Sequence, residues 1–322
     1  MPVAVYGKCC SFSPSWINLH PTNKIRQFGY VNIMKRKLSA FILIYSVMLC
    51  NQLSAQSEPN PDSLPGAQSH TYKSVNGIDL KLHIFTPESD NDESKAAVVF
   101  FFGGGWLQGS VSQFVPHSQH LASRGVVSIV ADYRVWNRHH SNVMSAVADA
   151  KSAIRWLRSH AEELGIDPNR LAAGGGSAGG HLAVATAVVP YFDEPDEDHR
   201  ISSSPSLLLL FNPAVDTSQI GQRREDQFQG QGENLSPQHQ LVDSSVPTFI
   251  VHGKADTTVP FSHALAYCDK LKGLSGTCEL HGYEEAAHGF FNKGRENDRW
   301  YTPTVREMDR FLIRFGYMSE YR

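Results

Sequence analysis

A glycine-rich segment in the middle of the chain, Gly174–Gly180, constrains the fold more than any other part of the sequence. It follows the apolar run Arg170–Ala173 and precedes a helix-compatible run, His181–Val189. Within it, Gly175–Gly179 fits the pattern G-x-S-x-G around Ser177. A serine on a sharp strand-to-helix turn has a strained backbone that only small neighbours tolerate. Because short glycine and serine strings are common in loops, a nucleophilic role for this serine depends on partners elsewhere in the chain.

The segments around this turn predict an α/β fold. The turn signal Asn76–Gly77, followed by alternating apolar residues over 78–84, predicts an N-terminal antiparallel hairpin. Beyond it, short apolar strands are predicted at 96–102, 126–131, 171–173, 207–211, 249–251 and 278–283. Helices are predicted at 112–123, 145–164 and 304–315. Continuous apolar strands separated by helices favour a mostly parallel central sheet with helices on both faces.

The N-terminal part of the chain predicts export rather than folded structure. The basic residues 34–37 precede an apolar stretch, 38–50, which is too short to span a bilayer comfortably. We interpret residues 34–55 as a signal peptide, and 1–33 as an over-extended start or an unusual leader. An uncleaved anchor helix is the alternative. A linker is then expected over 56–69 and the folded domain over 70–322, in a secreted or periplasmic protein without stable membrane insertion.

Composition and cysteine usage narrow the function classes. The chain of 322 residues is 41% hydrophobic and carries a formal net charge of −3, which argues against a nucleic-acid partner. Cleavage of the signal peptide would leave Cys268 and Cys278, which form either a disulfide or two buried thiols. No His or carboxylate cluster with ligand spacing lies beside them, so neither a metal nor a cofactor is expected.

Three further segments follow predicted strands, where parallel sheets place their active sites. Gly103–Gly105 follows the strand that ends at Phe102, Asp256 follows the strand 249–251, and His288 follows 278–283. Each segment alone is also compatible with an ordinary turn. Together they give the order Ser177, Asp256, His288, with a glycine loop upstream, which is the order of nucleophile, acid and histidine in α/β-hydrolases.

On these residues the chain resembles an α/β-hydrolase of the carboxylesterase and acetyl esterase group, related to the hormone-sensitive-lipase-like and feruloyl-esterase-like branches. The resemblance covers residues 70–320. Its motifs are Phe102–Trp106, Ala131–Arg134, Gly175–His181, Asp256–Pro260 and Ala287–Phe290. One position departs from the family, whose glycine loop usually begins with histidine. Phenylalanine cannot make the hydrogen bonds that brace this loop, so we expect either bracing by packing or a less rigid oxyanion hole.

The resemblance implies catalytic roles for single residues. Ser177 attacks an ester carbonyl, His288 accepts its proton, and Asp256 orients the imidazole. The amides of Gly104, Gly105 and Ala178 form the oxyanion hole. The resemblance also gives Asp132–Arg134 a structural role in a turn.

The sequence constrains the substrate pocket less than it constrains the catalytic residues. Trp106, Phe114 and Trp136 are the candidates for pocket walls, with packing of their own loops as the alternative. Residues 211–246 are polar and lack a long amphipathic helix, so we expect a minimal cap and an open cleft. The acidic run 193–198 is interpreted as a solvated loop, or more weakly as a cation site.

The function expected from these features is hydrolysis of short-chain acyl (acetyl-type) or aryl esters by an exported serine carboxylesterase. The substrate would be a small molecule or a polysaccharide ester. The alternatives are a serine peptidase of the oligopeptidase type and a non-catalytic binding protein on the same fold.

Overall fold

The computed structural model describes residues 60–88, 94–243 and 246–320. The expected leader 1–33, the signal segment 34–55 and the first part of the linker, 56–59, lie outside the described residues. In the ranges described, no helix has both the length and the apolar character needed to cross a membrane.

One eight-stranded sheet runs through the described residues, in the order β1-β2-β4-β3-β5-β6-β7-β8. The strands are β1 (Gln68–Val75), β2 (Ile78–Phe85), β3 (Lys95–Phe101), β4 (Val127–Ala131), β5 (Ile166–Gly176), β6 (Leu207–Phe211), β7 (Thr248–Gly253) and β8 (Cys278–Tyr283). The β1–β2 and β2–β4 pairs are antiparallel, and the remaining pairs are parallel. The predicted N-terminal hairpin and mostly parallel sheet are therefore confirmed.

Helices connect the strands and cover the sheet. They are α1 (Val115–Ser123), α2 (Trp136–His139), α3 (Val143–Ser159), α4 (Ala178–Val188), α5 (Ser218–Arg223), α6 (Glu225–Phe228), α7 (Pro237–Gln240), α8 (Phe261–Gly273) and α9 (Tyr301–Arg314). Every residue of β4, β6 and β7 is buried. Because successive strand residues face opposite sides of the sheet, burial at every position means that both faces are covered.

Several element boundaries differ from the sequence-based expectation, among them the end of α3 and the start of the first strand. Helix α3 ends at Ser159 rather than at Leu164, because residues 160–164 form turns closed by a hydrogen bond from Ile166 N to the Ala161 carbonyl. The first strand begins at Gln68, two residues before the expected start of the domain. Asn60, which falls in the expected linker, is also attached to the domain, since its side chain accepts a hydrogen bond from Val111 N at 3.1 Å.

Two side chains of the acidic run, Asp193 and Glu194, are paired with cations. Asp193 accepts from Lys151 Nζ at 2.7 Å and also binds Arg155. Glu194 lies 3.8 Å from Arg134, and its other ion pair is with Lys73. The interpretation as a solvated loop was wrong for these two side chains, because their partners come from β1, α3 and the turn after β4, all distant in sequence.

A disulfide joins Cys268 and Cys278 and settles the choice that the sequence left open. Their Cα atoms are 5.5 Å apart, within the range that a disulfide spans. The bond connects α8 to the first residue of β8, at the edge of the sheet. The strand that leads to His288 is therefore covalently tied to its neighbouring helix.

A neutral histidine is buried within an aromatic cluster beneath the carboxyl ends of the strands. The His117 ring is fully buried, and neither of its nitrogens has a hydrogen-bond partner. Its aromatic neighbours, all with ring centroids within 6.1 Å, are Phe100, Phe114, Phe211, Phe291 and Tyr301. Burial lowers the pKa of His117 from 6.5 to about 3, so the folded protein holds this side chain uncharged.

This burial predicts acid sensitivity. Below about pH 6.5 the unfolded chain protonates His117 and the folded chain does not, so stability falls as the pH drops towards the folded pKa, by up to ~1.4 kcal/mol per pH unit. In His117→Leu, the free energy of unfolding in urea should therefore depend less steeply on pH between about pH 6.5 and pH 5.

The matched control is His199→Leu, which removes a histidine from an exposed loop. This substitution should leave the dependence of the free energy of unfolding on pH unchanged. If the free energy of unfolding depends on pH equally steeply in His117→Leu and in the parent protein, His117 is not buried in the neutral state.

Candidate active site

Ser177 lies between the last residue of β5 and the first residue of α4. Its backbone has φ 53° and ψ −115°, a conformation that residues with a side chain rarely adopt. The neighbouring glycine is needed for close approach, because a Cβ on Gly179 would lie 2.0 Å from the Phe101 carbonyl oxygen. The G-x-S-x-G segment thus forms the strained strand-to-helix turn that the sequence predicts.

The three predicted catalytic residues meet at the carboxyl ends of the strands. Ser177 Oγ lies 3.0 Å from His288 Nε2, and His288 Nδ1 lies 2.7 Å from Asp256 Oδ2. An uninterrupted hydrogen-bond chain therefore runs from hydroxyl to imidazole to carboxylate. With Nδ1–H donating to the carboxylate, Nε2 is the nitrogen that can accept the serine proton.

Asp256 is buried, with 7% of its surface exposed, yet it is stabilised as the anion. Burial alone would raise its pKa, but hydrogen bonds from His252, His288 and the Val259 amide outweigh burial and hold the pKa well below its usual range. The Thr258 and Val259 amides donate to Oδ1 at 2.8 and 2.9 Å. The carboxylate therefore stays charged where it faces the imidazole.

A second histidine, His252, lies against the same carboxylate. Its Nε2 is 3.4 Å from Asp256 Oδ2 and donates to the Val259 carbonyl at 2.9 Å. The side chain is fully buried. It thus ties Asp256 to Val259, within the turn that carries the carboxylate.

The predicted oxyanion donors come from two segments that adjoin the nucleophile: Ala178 directly follows Ser177, and a Cβ built on Gly103 would lie 3.4 Å from Ser177 Cβ. Gly104 and Gly105 have positive φ values of 130° and 65°, and Ala178 is the first residue of α4. The Gly104 carbonyl accepts from Leu107 N at 3.1 Å and from Gln108 N at 3.2 Å. The Gly104 carbonyl and the Gly105 N–H belong to the same planar peptide group. These bonds therefore also fix the direction of the Gly105 N–H. In the described part of the chain, no hydrogen bond uses the three predicted amides as donors, so they are available to an oxyanion.

Packing and a tyrosine hydroxyl hold the loop at the position where the family usually has histidine. The Phe102 ring stacks on Tyr133, with centroids 4.2 Å apart and planes at 19°. The Tyr133 hydroxyl donates to the Phe102 carbonyl at 2.7 Å, and the Arg138 guanidinium lies 5.7 Å from the centre of the Phe102 ring. Of the two expected outcomes, the loop is braced by packing. Tyr133 also gives the strand-end turn Asp132–Arg134 its structural role.

A side-chain relay connects this loop to the histidine loop. Gly103 N donates to Gln113 Oε1 at 2.6 Å, and Gln113 Nε2 donates to Asn292 Oδ1 at 3.0 Å. Asn292 Nδ2 in turn donates to the Gly289 carbonyl at 2.8 Å, one residue after His288. Two halves of the site that are far apart in sequence are thus joined by three hydrogen bonds.

Two of the predicted pocket residues are buried packing residues instead. Trp106 is 4% exposed and Phe114 is 1% exposed. Phe114 stacks on Phe100 at 4.7 Å within the aromatic cluster, so for both rings the alternative interpretation, loop packing, describes the structure. Trp136 is half-buried at the start of α2, and its backbone N–H donates to the Trp106 carbonyl at 3.0 Å.

Trp106 and His181 join the glycine loop to a covering segment, which we define as residues 217–241. Trp106 Nε1 donates to His181 Nδ1 at 3.2 Å, and His181 Nε2 donates to the Leu235 carbonyl at 2.8 Å. The Trp106 ring meets Phe228 edge to face at 5.3 Å. Burial lowers the pKa of His181 to about 4, so the imidazole is neutral and can accept from the tryptophan.

Sequence reasoning did not identify three side chains that support the site. Gln113 and Asn292 carry no local signal, because their partners are distant in sequence. Asn212 carries a local signal, because it directly follows β6, at the edge of the sheet where the catalytic residues lie. Its Oδ1 accepts from Gly289 N at 2.9 Å, which supports the histidine loop from a second strand.

Comparison with known proteins agrees with this geometry. The BD-FAE family model matches residues 82–209, and the dienelactone hydrolase family model matches residues 227–317. Thermogutta terrifontis esterase 2, in its form phosphoramylated by tabun, superposes with a TM-score of 0.78 at 44% identity, over 82% of this chain and 100% of that one.

Curated relatives give the same assignment at lower identity. Esterase LipC of Mycobacterium tuberculosis is 28% identical over 60% of this chain and 52% of its own length. The probable carboxylic ester hydrolase LipM of the same organism is 28% identical over 58% of this chain and 47% of its own length. The chain thus spans about half the length of these curated relatives, whereas it covers the whole of the Thermogutta enzyme. It belongs to the α/β-hydrolase carboxylesterases of the hormone-sensitive-lipase-like group.

Proposed function

We propose that this protein is a serine carboxylesterase. The observation that carries the proposal is the continuous chain of contacts from Ser177 Oγ through His288 to Asp256, at 3.0 and 2.7 Å, with unoccupied amide donors beside the nucleophile. A hydroxyl, an imidazole, a buried carboxylate and an oxyanion hole together perform acyl transfer.

The reaction follows from these positions. Ser177 Oγ bonds to the ester carbonyl carbon while its proton moves to His288 Nε2. The carbonyl oxygen becomes an oxyanion, bound by the Gly104, Gly105 and Ala178 amides. Collapse breaks the bond to the alcohol oxygen, which takes the proton from His288. Water then attacks the acyl-enzyme, gives a proton to the same imidazole, and releases the acid as the proton returns to Ser177.

Short acyl groups are the proposed substrate class, with acetyl-type and aryl esters first and carbohydrate esters among the candidates. The solved forms of the Thermogutta esterase include one with propionate bound and one with butyrate bound, which are short-chain acids. The helices of the covering segment span six, four and four residues, which fits a minimal cap. Both points support short acyl chains over long lipids.

Replacement of the nucleophile tests the mechanism. Ser177→Ala should lower kcat for 4-nitrophenyl acetate by about 10⁴-fold or more, because no other group forms the acyl-enzyme. Paraoxon should inactivate the parent protein and add one diethyl phosphate to the Ser177 peptide, as measured by mass spectrometry. A Thermogutta form phosphorylated by paraoxon is known, so the matched reaction is available as a positive control.

The same assay distinguishes the other functions. Activity that survives Ser177→Ala would exclude this mechanism. Cleavage of peptide anilides without cleavage of esters would favour the peptidase, and binding without turnover of either would favour the non-catalytic protein. Acetylated xylan and methyl ferulate, assayed beside 4-nitrophenyl esters of increasing chain length, rank the proposed ester classes.

The relay predicts a positioning role for Gln113. Gln113→Ala removes the acceptor of the Gly103 N–H, so the adjacent oxyanion donors lose a fixed position. We expect kcat for 4-nitrophenyl acetate to fall roughly tenfold with little change in KM, less than the roughly 10²–10³-fold cost of deleting a donor itself. Gln113→Glu keeps the acceptor and removes the donor to Asn292, so it separates the two bonds.

Gln119→Ala is the control, since this exposed glutamine lies six residues further along, on α1. It should leave both kinetic constants unchanged. A kcat in Gln113→Ala within about twofold of the parent value would show that packing of Phe102 alone positions the loop.

We propose that the protein is exported. The basic and apolar residues of 34–55 support this location, and the Cys268–Cys278 disulfide is typical of oxidising compartments. Of the five cysteines in the chain, the other three precede the expected cleavage site at Gln56.

Export predicts a defined mature protein. When the full chain is expressed in a Gram-negative host, the product in the periplasm or medium should begin at Gln56. Without reduction it should contain no thiol that reacts with iodoacetamide. Intact-mass measurement before and after alkylation checks both points. An unprocessed N-terminus, or two alkylated cysteines, would count against the proposal.

A further inference from the structure

The covering segment places one cation directly on the oxyanion loop. Arg224 Nη1 donates to the Gly105 carbonyl oxygen at 3.0 Å. A Cβ built on Gly105 would lie 3.1 Å from Nη1, 3.7 Å from Nη2 and 3.9 Å from Cζ of Arg224, which are the three nearest atoms outside the loop's own neighbouring residues. The guanidinium therefore lies over the residue whose amide is a predicted oxyanion donor.

This guanidinium retains unused donor capacity. Arginine carries five N–H donors, and the bond to Gly105 is the one side-chain hydrogen bond that Arg224 makes with the described residues. It forms no ion pair within the described ranges, whereas Arg134, Arg138 and Arg155 are each paired with a carboxylate. The side chain is half-buried, so it is partly desolvated and still reachable from solvent.

A partly desolvated arginine with free donors is a site for a carboxylate, because the planar guanidinium binds two carboxylate oxygens at once. We propose that Arg224 selects esters that carry a carboxylate near the scissile bond. The inference rests on the proposed esterase function and specifies its substrate class. The Gly105 bond orients the guanidinium, and the free donors bind the anionic end of the substrate.

A purely structural role for Arg224 makes a different prediction. If the guanidinium only attached the covering segment to the glycine loop, its removal would lower turnover of charged and neutral esters alike. An added positive potential at the oxyanion hole would likewise act on every ester. Discrimination between a carboxylate and a neutral group of the same shape is therefore the property to measure.

Two matched substrate pairs test this discrimination, one on the acyl part of the ester and one on the alcohol part. On the acyl side, monomethyl glutarate is compared with its neutral amide analogue, methyl 5-amino-5-oxopentanoate. On the alcohol side, O-acetyl-lactate is compared with O-acetyl-lactamide. Acid release is followed in a pH-stat with the full chain, Arg224→Gln, and the control Arg223→Gln, which removes the same charge from an exposed neighbour.

We expect Arg224→Gln to lower kcat/KM for the carboxylate ester of at least one pair by about tenfold or more, and for its amide partner by less than about threefold. Arg223→Gln should lower neither. About 0.5 M NaCl should reduce the preference of the parent protein. The pair that responds identifies whether the carboxylate belongs to the acid or to the alcohol.

Equal losses on both members of each pair, or no loss on either, would overturn the proposal. The neutral ester 4-nitrophenyl acetate, with Ser177→Ala as the blank, is run in parallel. If it is hydrolysed by the parent protein while neither pair shows a charge preference, the esterase function stands and the substrate inference fails. If it is not hydrolysed, the esterase function itself fails.

Discussion

The strained backbone of Ser177 is the constraint on which the rest of the site depends. A residue with this φ and ψ costs about 1–3 kcal/mol and persists only where its surroundings hold it. Its N–H donates to the Phe211 carbonyl at 2.9 Å, and its own carbonyl accepts from His181 N and Ala214 N at 3.0 and 3.2 Å. Strand β6, helix α4 and the start of the following loop therefore fix the nucleophile together. The glycines on either side are required because backbone from β3 approaches at contact distance.

The buried ionisable side chains of the protein include neutral histidines and carboxylates that are surrounded by hydrogen-bond donors. His117 and His181 are buried and neutral, because desolvation lowers their pKa values. Asp149 and Asp256 are also buried, and each is surrounded by donors. Asp149 is fully buried between Arg134 and Lys73, and Asp256 accepts from two amides and a histidine. A buried carboxylate is stable only with such partners, so the groups that hold Asp256 in place also keep it ionised for catalysis.

Part of this site was predictable from the sequence because its signals are local. Ser177, Asp256 and His288 each follow a predicted strand within a few residues, which places all three at the carboxyl ends of the parallel strands, and the structure joins them there. The direction of a side chain is not encoded locally. Trp106 follows a strand like the catalytic residues do, but its ring turns inward to His181. The pairing of the acidic run with cations escaped prediction for the same reason, since the cations come from other elements.

At Phe102, where the family usually has histidine, the glycine loop is held by interactions other than the hydrogen bonds of a histidine ring. A histidine brace acts through hydrogen bonds of its own ring. Here the ring contributes stacking on Tyr133, and hydrogen bonds to the Phe102 carbonyl and the Gly103 amide take over the polar role. These bonds come from Tyr133 and Gln113, so they tie the loop to the turn after β4 and, through the relay, to the histidine loop.

The covering segment adds a further consequence. It is polar in sequence, but its Phe228 and Leu235 are fully buried, and it contacts the glycine loop at Trp106 and Gly105. A substrate group that displaces this segment would also displace the oxyanion donors. On the proposed role of Arg224, recognition of the substrate and stabilisation of the transition state share one set of contacts, and changes in specificity are expected to appear in kcat as well as in KM.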